Sequence, residues 1–318
     1  MTSGKRKMPA WVSGRGGTHR QSRRDDIASG NRPGPRPNGL ISVQVIAFFS
    51  LAAGTLPGET HRACAQTSDL VSMSQLRVCA DPANLPLSHE NGSGYENRLA
   101  ELLAAKLERP LAYTWFPMAT GFVRNTLRAN RCDVIIGYAQ GHELVLNTNH
   151  YMTSAYALIV PKDGSLSGVK TLSDEMLDGK RLGIVAGSPP ASHLARNGLI
   201  AMAKPYHLFV DRRVESPAID MLQDLRSGTI DAAILWGPIG GPLVKSEFPE
   251  FQITPLLRED HPPRLFFRIT MGVRPGEKVW QRKLNSLIRR NSKEINAILL
   301  NAGVPLLSDM GTEIMRGD

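Results

Sequence analysis

The residues with the most obvious capacity for acid–base chemistry are three glutamates. Glu90 and Glu143 each follow a histidine, His89 and His142, and Glu96 lies in the first turn of a predicted helix. Adjacent residues on a strand point to opposite faces, so neither His–Glu pair has the spacing of a metal site. Glu96 is better explained as an acidic residue that complements the helix dipole. The sequence also lacks a Gly-x-Ser-x-Gly elbow, an HExxH helix and a Walker phosphate loop, so we expect no catalytic residue, metal or cofactor.

Five other residues could contact a ligand. Gly187 and Ser188 precede a predicted helix, whose free backbone N–H groups could receive an anion, although simple N-capping by Ser188 is the plainer explanation. Trp115 and Trp236 end predicted strands, where they could form an aromatic platform or pack in the core. Arg124 shares a helix with apolar residues, and an exposed or salt-bridged arginine is the simpler interpretation there.

The N-terminal segment has the three parts of an export signal. Residues 1–65 have a net charge of +7, whereas residues 66–318 have a net charge of +2. A basic start, predicted to be disordered, precedes the apolar run Leu40–Ala53, which is shorter than the roughly 20 residues that span a bilayer. Small residues at Ala63 and Ala65 predict cleavage after Ala65 and a periplasmic location. The positive charge belongs to the removed segment, so we expect neither nucleic-acid binding nor membrane attachment of the mature chain.

Cleavage of this leader would leave two cysteines. Cys64 is lost, and Cys79 and Cys132 remain. A pair in an oxidising compartment predicts one disulfide, while two buried free thiols are the alternative, because a free cysteine packs well in a strand.

Short apolar runs alternate with helical stretches from residue 76 onward, which is typical of an α/β protein built from βαβ units. The predicted strands are Leu76–Ala80, Leu111–Phe116, Asp133–Gly137, Ala155–Pro161, Arg181–Val185, Tyr206–Val210, Ala232–Trp236 and Phe266–Val273. The predicted helices are Tyr95–Leu107, Phe122–Ala129, Pro189–Asn197, Pro217–Arg226 and Glu277–Asn301.

Two successive βαβ sets predict two lobes. Residues 66–157 form the first part of lobe 1, residues 158–264 form lobe 2, and residues 265–318 return to lobe 1 with a C-terminal helix. Two extended runs, Tyr151–Pro161 and Phe251–Leu257, are the candidate hinge strands between the lobes.

Several motifs resemble those of a known family in their order and spacing. The segments Leu76–Asp81, Gly94–Glu96, Leu127–Gly137, Val185–Ser188 and Arg226–Ala233 resemble landmarks of the family 3 periplasmic solute-binding proteins, over nearly all of residues 76–305. This resemblance implies a two-lobed periplasmic binding protein fold, with a mainly parallel sheet flanked by helices in each lobe and two hinge strands. We expect a monomer.

A narrower resemblance is carried by Val78–Pro86, Trp115–Pro117, Gly121–Leu127 and Arg131–Ile135. These segments are similar to the subgroup that accompanies quinoprotein methanol dehydrogenases, the MoxJ/XoxJ type. The similarity implies a periplasmic accessory of methanol oxidation that contacts the dehydrogenase.

In this fold the ligand site lies between the lobes, at the carboxyl ends of the strands. The predicted cleft residues are Asp81, Asn84, Ser88, Trp115, Arg124, Tyr138, His142, Gly187, Ser188, Trp236 and Gly237. Amino-acid-binding members carry an arginine soon after the third strand and an aspartate after a strand of lobe 2. Here residues 137–144 hold no arginine, and Trp236 and Gly237 replace the aspartate. An unpaired buried charge is costly, so a free α-amino acid is a poor candidate ligand.

Three functions are compatible with these observations. The resemblance favours a non-catalytic accessory of a quinoprotein alcohol or methanol dehydrogenase, with a partner segment or a small ligand in its cleft. The alternative is a solute-binding subunit of an ABC transporter for a small ligand other than a simple amino acid. Because some relatives of this fold are enzymes with a catalytic glutamate, an enzyme that uses Glu90 or Glu143 is the third.

Overall fold

The computed structural model of the protein describes residues 70–141 and 143–315, so the predicted leader, its cleavage site and His142 lie outside the described residues. Its strands are β1 (Leu76–Ala80), β2 (Ala83–Asn84), β3 (Ser88–His89), β4 (Leu111–Trp115), β5 (Val134–Ala139), β6 (Leu146–Pro161), β7 (Leu182–Val185), β8 (Lys204–Tyr206), β9 (Ala232–Trp236), β10 (Phe251–Pro255) and β11 (Phe266–Val273). Its α-helices are α1 (Tyr95–Leu107), α2 (Phe122–Asn125), α3 (Pro189–Arg196), α4 (Pro217–Arg226), α5 (Gly237–Ser246), α6 (Lys278–Arg290) and α7 (Ser292–Ala302). None of these helices is long and apolar enough to cross a membrane.

One long strand, β6, belongs to both halves of the fold. The strands follow the order β4-β1-β5-β11-β6-β9-β7-β8, and β10 also pairs with β6. The first part of β6 pairs with β11, from Leu146 to Ala155, and the last part pairs with β9 and β10. In each half three strands are parallel, β4-β1-β5 and β9-β7-β8, and antiparallel pairing with β11 or β6 completes the sheet.

We call the half that contains β4, β1, β5, β11 and the start of β6 lobe 1, and the half that contains the rest of β6 with β9, β7, β8 and β10 lobe 2. In lobe 1, helices α1, α6 and α7 bury Leu99, Leu284 and Leu299 against the sheet. In lobe 2, two apolar clusters, which include Leu182 and Leu222, bury the faces of the sheet. Each fully buried leucine contributes about 2 kcal/mol by leaving water. The predicted α/β fold with two lobes is therefore confirmed.

The chain enters lobe 2 along β6 and leaves it through residues 256–265. Tyr156 marks both crossings, because its carbonyl oxygen accepts from Leu256 N at 2.9 Å and its own N–H donates to Leu265 O at 2.8 Å. Strand β10, within the run predicted as the second hinge strand, lies beside the lobe 2 part of β6, and the return crossing follows it.

The disulfide between Cys79 and Cys132 is formed, with 5.4 Å between the two Cα atoms. It joins β1 to the turn before β5 and lies in an apolar cluster with Phe122, Leu127 and Val145. The prediction of a disulfide is thus confirmed over the alternative of two free thiols.

Several predicted elements have wrong bounds. Helix α2 ends at Asn125 instead of Ala129, and β6 begins at Leu146 instead of Ala155. Two further differences have a clear local cause. The predicted strand Tyr206–Val210 ends where it was expected to begin, because β8 stops at Tyr206, the last residue that pairs with β7. The predicted helix Glu277–Asn301 is two helices, since Asn291 leaves helical geometry with φ −114° and ψ 22°. Its backbone N–H and its side-chain amide both donate to Leu287 O, at 3.0 Å and 2.7 Å, at the end of α6.

Helix α5 begins where the sequence predicts a cleft loop. A Cβ atom at Gly241 would overlap the carbonyl oxygen of Gly303, just after α7, and one at Gly237 would overlap the carbonyl oxygen of Ala155 in β6. Glycine is required at both positions because the backbone of α5 directly contacts backbone of lobe 1.

Candidate ligand-binding cleft

A cavity of about 1070 Å³ lies between the two lobes. Lobe 1 contributes the β2–β3 hairpin and the side chain of Phe267. Lobe 2 contributes the starts of α3 and α4 and much of the segment 207–216, which connects β8 to α4 and which we call the lip segment. This volume is slightly above the range of about 300 to 1,000 Å³ that is typical of sites for small molecules.

Three aromatic side chains meet where the chain passes between the lobes. Tyr156 on β6, Trp236 on β9 and Phe267 on β11 all line the cavity. Their ring centroids lie 5.3 Å apart for Tyr156–Trp236, 5.8 Å for Trp236–Phe267 and 6.3 Å for Tyr156–Phe267. These separations and the inclined ring planes are typical of favourable aromatic contacts. The cluster, called the aromatic cluster below, gives the cavity an apolar surface, and burial raises the pKa of Tyr156.

Sequence reasoning missed the main charged group of this cavity, Arg212. It belongs to the lip segment, is half-buried, and donates from Nη1 to Oδ1 of Asn84 in lobe 1. Burial lowers the pKa of its guanidinium, and the charge of Asp81 acts in the opposite direction. An arginine keeps its proton even so. The cleft therefore does hold a cation, although not at the position where amino-acid-binding members carry theirs.

Three predicted cleft residues lie at the cavity. Asn84 contacts Arg212, and Ser188 and Trp236 line the wall. Ser188 does not cap α3, because its hydroxyl donates to Val185 O at 2.6 Å. Prolines occupy the first two positions of α3, Pro189 and Pro190, and they have no N–H to offer an anion. Both expectations for Ser188, capping and anion binding through the helix end, are thus unsupported by the local geometry.

Two other predicted cleft residues, Asp81 and Ser88, are buried in lobe 1 next to the β2–β3 hairpin. Asp81 is 3% exposed, and its carboxylate accepts from Ala83 N at 2.9 Å and Met118 N at 2.6 Å. Ser88 is 1% exposed and donates to Asp81 O at 2.8 Å. Their polar atoms are engaged by the protein, so they hold Asn84 in place rather than face the cavity.

The remaining predicted residues lie elsewhere. Trp115 stacks on Tyr113, with 4.4 Å between centroids, and does not line the cavity, so it forms no platform there with Trp236. Arg124 is exposed on α2, and Tyr138 packs against the disulfide cluster; neither lines the cavity. Gly187 turns the chain with φ +76° before α3, and Gly237 starts α5.

The glutamates have different surroundings. Glu90 is exposed at the cavity rim, and Glu143 is exposed without lining it. Glu96 lies in the first turn of α1, as predicted, but it is only 8% exposed and lies against the backbone of Gly137. Burial raises its pKa to about 7. Among residues 70–141 and 143–315, no group of three or more His, Cys, Asp or Glu side chains could hold a metal ion.

Comparison with known proteins places this geometry in a family. No family model matches the chain. The crystal structure of the periplasmic binding protein XoxJ from Methylobacterium extorquens AM1 matches with 39% sequence identity and a TM-score of 0.63, over 74% of this chain and 100% of that one. The chain belongs to the MoxJ/XoxJ family of periplasmic binding proteins. The family predicted from the sequence motifs is confirmed.

Two curated members of the MoxJ/XoxJ family match over a similar share of the chain. Protein MoxJ of Methylorubrum extorquens AM1 is 29% identical over 247 residues, which are 73% of this chain and 81% of that protein. Protein MoxJ of Paracoccus denitrificans is 25% identical over 251 residues, which are 75% of this chain and 91% of that protein. The similarity therefore extends over both lobes.

Proposed function

We propose that this protein is a non-catalytic periplasmic accessory of a quinoprotein methanol dehydrogenase, and that its cleft engages the dehydrogenase. Membership of the MoxJ/XoxJ family is the observation that carries this proposal, with XoxJ covered over its whole length. We further propose that the chain is exported and cleaved after Ala65, which intact mass measurement of the periplasmic protein will test.

The cleft supports engagement of a partner. Large apolar side chains lie in solvent at and beside its mouth: Leu85, which lines the cavity, is 47% exposed, and Phe209 and Val214, which belong to the lip segment but do not line the cavity, are 73% and 83% exposed. Apolar groups that stay in water at the mouth of a cavity are typical of an interaction surface. Among the residues that the structure describes, no buried pair of an acid and an arginine lines the cavity in the arrangement that would hold the two ends of an amino acid.

Co-purification of tagged protein from periplasm tests the proposal. We expect the dehydrogenase to be retained, and deletion of the gene to impair methanol-dependent growth. Phe209→Ser should weaken retention, whereas Val279→Ser, which alters a 60% exposed side chain on α6 away from the cavity, should not. Absence of dehydrogenase from the purified material, together with normal growth of the deletion strain, would refute the accessory role.

A second candidate is a solute-binding subunit of an ABC transporter. The observation that favours it is the size of the cavity, which suits a small molecule. Native mass spectrometry that finds one metabolite bound stoichiometrically, with a matching rise in melting temperature, would support transport over the accessory role.

A further inference from the structure

Within the described residues, no carboxylate accepts a hydrogen bond from the guanidinium of Arg212. Its side chain has five N–H donors, and within the described residues its hydrogen-bond acceptor is the neutral amide oxygen of Asn84. Asp81 is close enough to influence it, but both carboxylate oxygens of Asp81 already accept backbone N–H groups, from Ala83 and Met118. A half-buried guanidinium with spare donors at a cavity is suited to receive an anion.

Other ionisable groups of the cavity wall lie at its rim. Glu90, Glu215 and Arg213 are exposed, and Arg213 pairs with Asp211 at 2.6 Å. Of the Lys, Arg, Asp and Glu side chains that line the cavity in the described residues, Arg212 is the one that is not exposed. An ammonium group of a ligand would therefore lack a buried carboxylate partner, which disfavours zwitterions.

The aromatic cluster offers a ligand a second contact, in addition to Arg212. Tyr156, Trp236 and Phe267 are half-buried and line the same cavity as Arg212, where an apolar or aromatic group can pack on them. The wall between them is largely apolar, with Val185, Leu235 and Ile239 among its members.

We infer that the cleft takes an occupant which combines one carboxylate with an aromatic group and has no neighbouring ammonium. Arg212 binds the carboxylate, and the aromatic cluster binds the ring. This inference rests on the proposed role of the cleft as a binding site and names the chemistry that fills it. The same chemistry could be presented by a free aromatic acid or by an acidic and aromatic segment of the dehydrogenase.

Three matched probes test the inference: 3-phenylpropanoate, 3-phenylpropanamide and phenylalanine. Calorimetric titration should show that the acid binds about 10- to 100-fold more tightly than the amide, which is the usual effect of a charge-assisted hydrogen bond. Phenylalanine should bind as weakly as the amide, because its ammonium has no buried partner. Equal affinities for the acid and the amide in the unaltered protein would overturn the inference without any variant.

Arg212→Gln should remove the preference for the acid while affinity for the amide changes by less than about twofold. Arg213→Gln is the matched control, since its guanidinium lies at the rim and is paired with Asp211, and it should keep the preference. Thermal melting confirms that both variants fold. A preference for the acid that survives in a folded Arg212→Gln protein would also overturn the inference.

A competition experiment then separates the two sources. If purified dehydrogenase displaces 3-phenylpropanoate, the carboxylate comes from the partner; if it binds without displacement, a free aromatic acid is the occupant. Either result presupposes that Arg212 holds the acid. If the dehydrogenase co-purifies but the cleft shows no preference for the acid, the proposed function stands and this inference is rejected. If the acid binds through Arg212 but no dehydrogenase is retained, this inference stands and the proposed function is rejected.

Discussion

The two lobes have similar sheets, but the charged groups within each lobe are arranged differently. Lobe 1 contains a buried ionic cluster, in which Asp133, 1% exposed, accepts from Arg77 at 2.6 Å and from Arg274 at 2.7 Å. Arg274 in turn pairs with Glu277 at 2.6 Å, and both are nearly inaccessible to solvent. This cluster joins β1, the turn before β5 and the chain that follows β11.

Lobe 2 places most of its ion pairs in solvent. Arg181–Asp231, Lys204–Asp224 and Arg226–Glu250 all lie at the surface, and His193 beside Glu259 is the buried exception. Its sheet is covered by two apolar clusters. The comparison teaches that both lobes have apolar cores, but lobe 1 depends in addition on a cluster of buried charged groups, whereas lobe 2 places most of its ion pairs at the surface.

The largest expected effect follows from Asp133→Asn. Removing this carboxylate takes the charge partner of Arg77 and one of the two charge partners of the buried Arg274, which keeps Glu277, so we expect a loss of about 4 kcal/mol in the free energy of unfolding. Urea unfolding measures it. Asp178→Asn, which neutralises an exposed carboxylate of lobe 2, is the control and should have little effect. Similar losses for both variants would contradict the contrast between the lobes.

The disulfide is the second feature confined to lobe 1. Cys79 and Cys132 are 53 residues apart, and loss of a disulfide typically costs about 2 to 4 kcal/mol. Replacing both cysteines by alanine should lower stability by this amount. Hydrogen exchange should increase in β1 and β5 while β7 and β9 stay protected. A uniform increase over both lobes would show that they unfold as one unit.

Glu96 gives lobe 1 a pH dependence. Its folded pKa is about 7, above the usual 4.5, so between these values the folded state keeps a proton that the unfolded state has lost. Stability must therefore fall as pH rises from about 4.5 to 7, by about 2 kcal/mol at pH 6 from this group. Glu96→Gln should remove that contribution. The measurement is the difference between variant and parent in urea unfolding at pH 4.5, 6 and 7.5; a difference that does not vary with pH would contradict the assignment.

The smallest expected effect concerns the surface of lobe 2. Hydrogen bonds from Arg181 hold the pKa of Asp231 below its usual value, but solvent screens the pair. Asp231→Asn should therefore change the free energy of unfolding by less than about a quarter of the Asp133→Asn effect. The change should become smaller in about 1 M salt, where the Debye length is near 3 Å. A large effect that persists in high salt would show that lobe 2 depends on this ion pair for its stability, as lobe 1 depends on its buried cluster.

Much of the fold was predictable because it is encoded locally. Strands β1, β9 and β11 and helices α1 and α4 have the bounds that hydrophobic periodicity and turn residues predict. Helix α5 was missed because glycines and prolines, including Pro242 in its interior, give it low intrinsic helix propensity. Pro238 near its start was the signal that could have revealed it.

The site was less predictable because it depends on contacts between distant residues. Trp236 and Asn84 could be placed at the cleft from the ends of strands. Arg212 lies in a segment without periodicity, and its contact with Asn84 joins residues 128 positions apart. Glu96 looked like an ordinary first-turn residue, and only the approach of β5 at Gly137 buries it.

The contact of α5 with the end of α7 has a consequence for movement of the lobes. At Gly241 and Gly303 peptide groups of the two lobes touch with no side chain between them. A single methyl group at Gly241 would hold the lobes farther apart. If the cavity widens or narrows while this contact is kept, the lobes must rotate about the contact. The pivot of that rotation therefore lies where the two glycines meet.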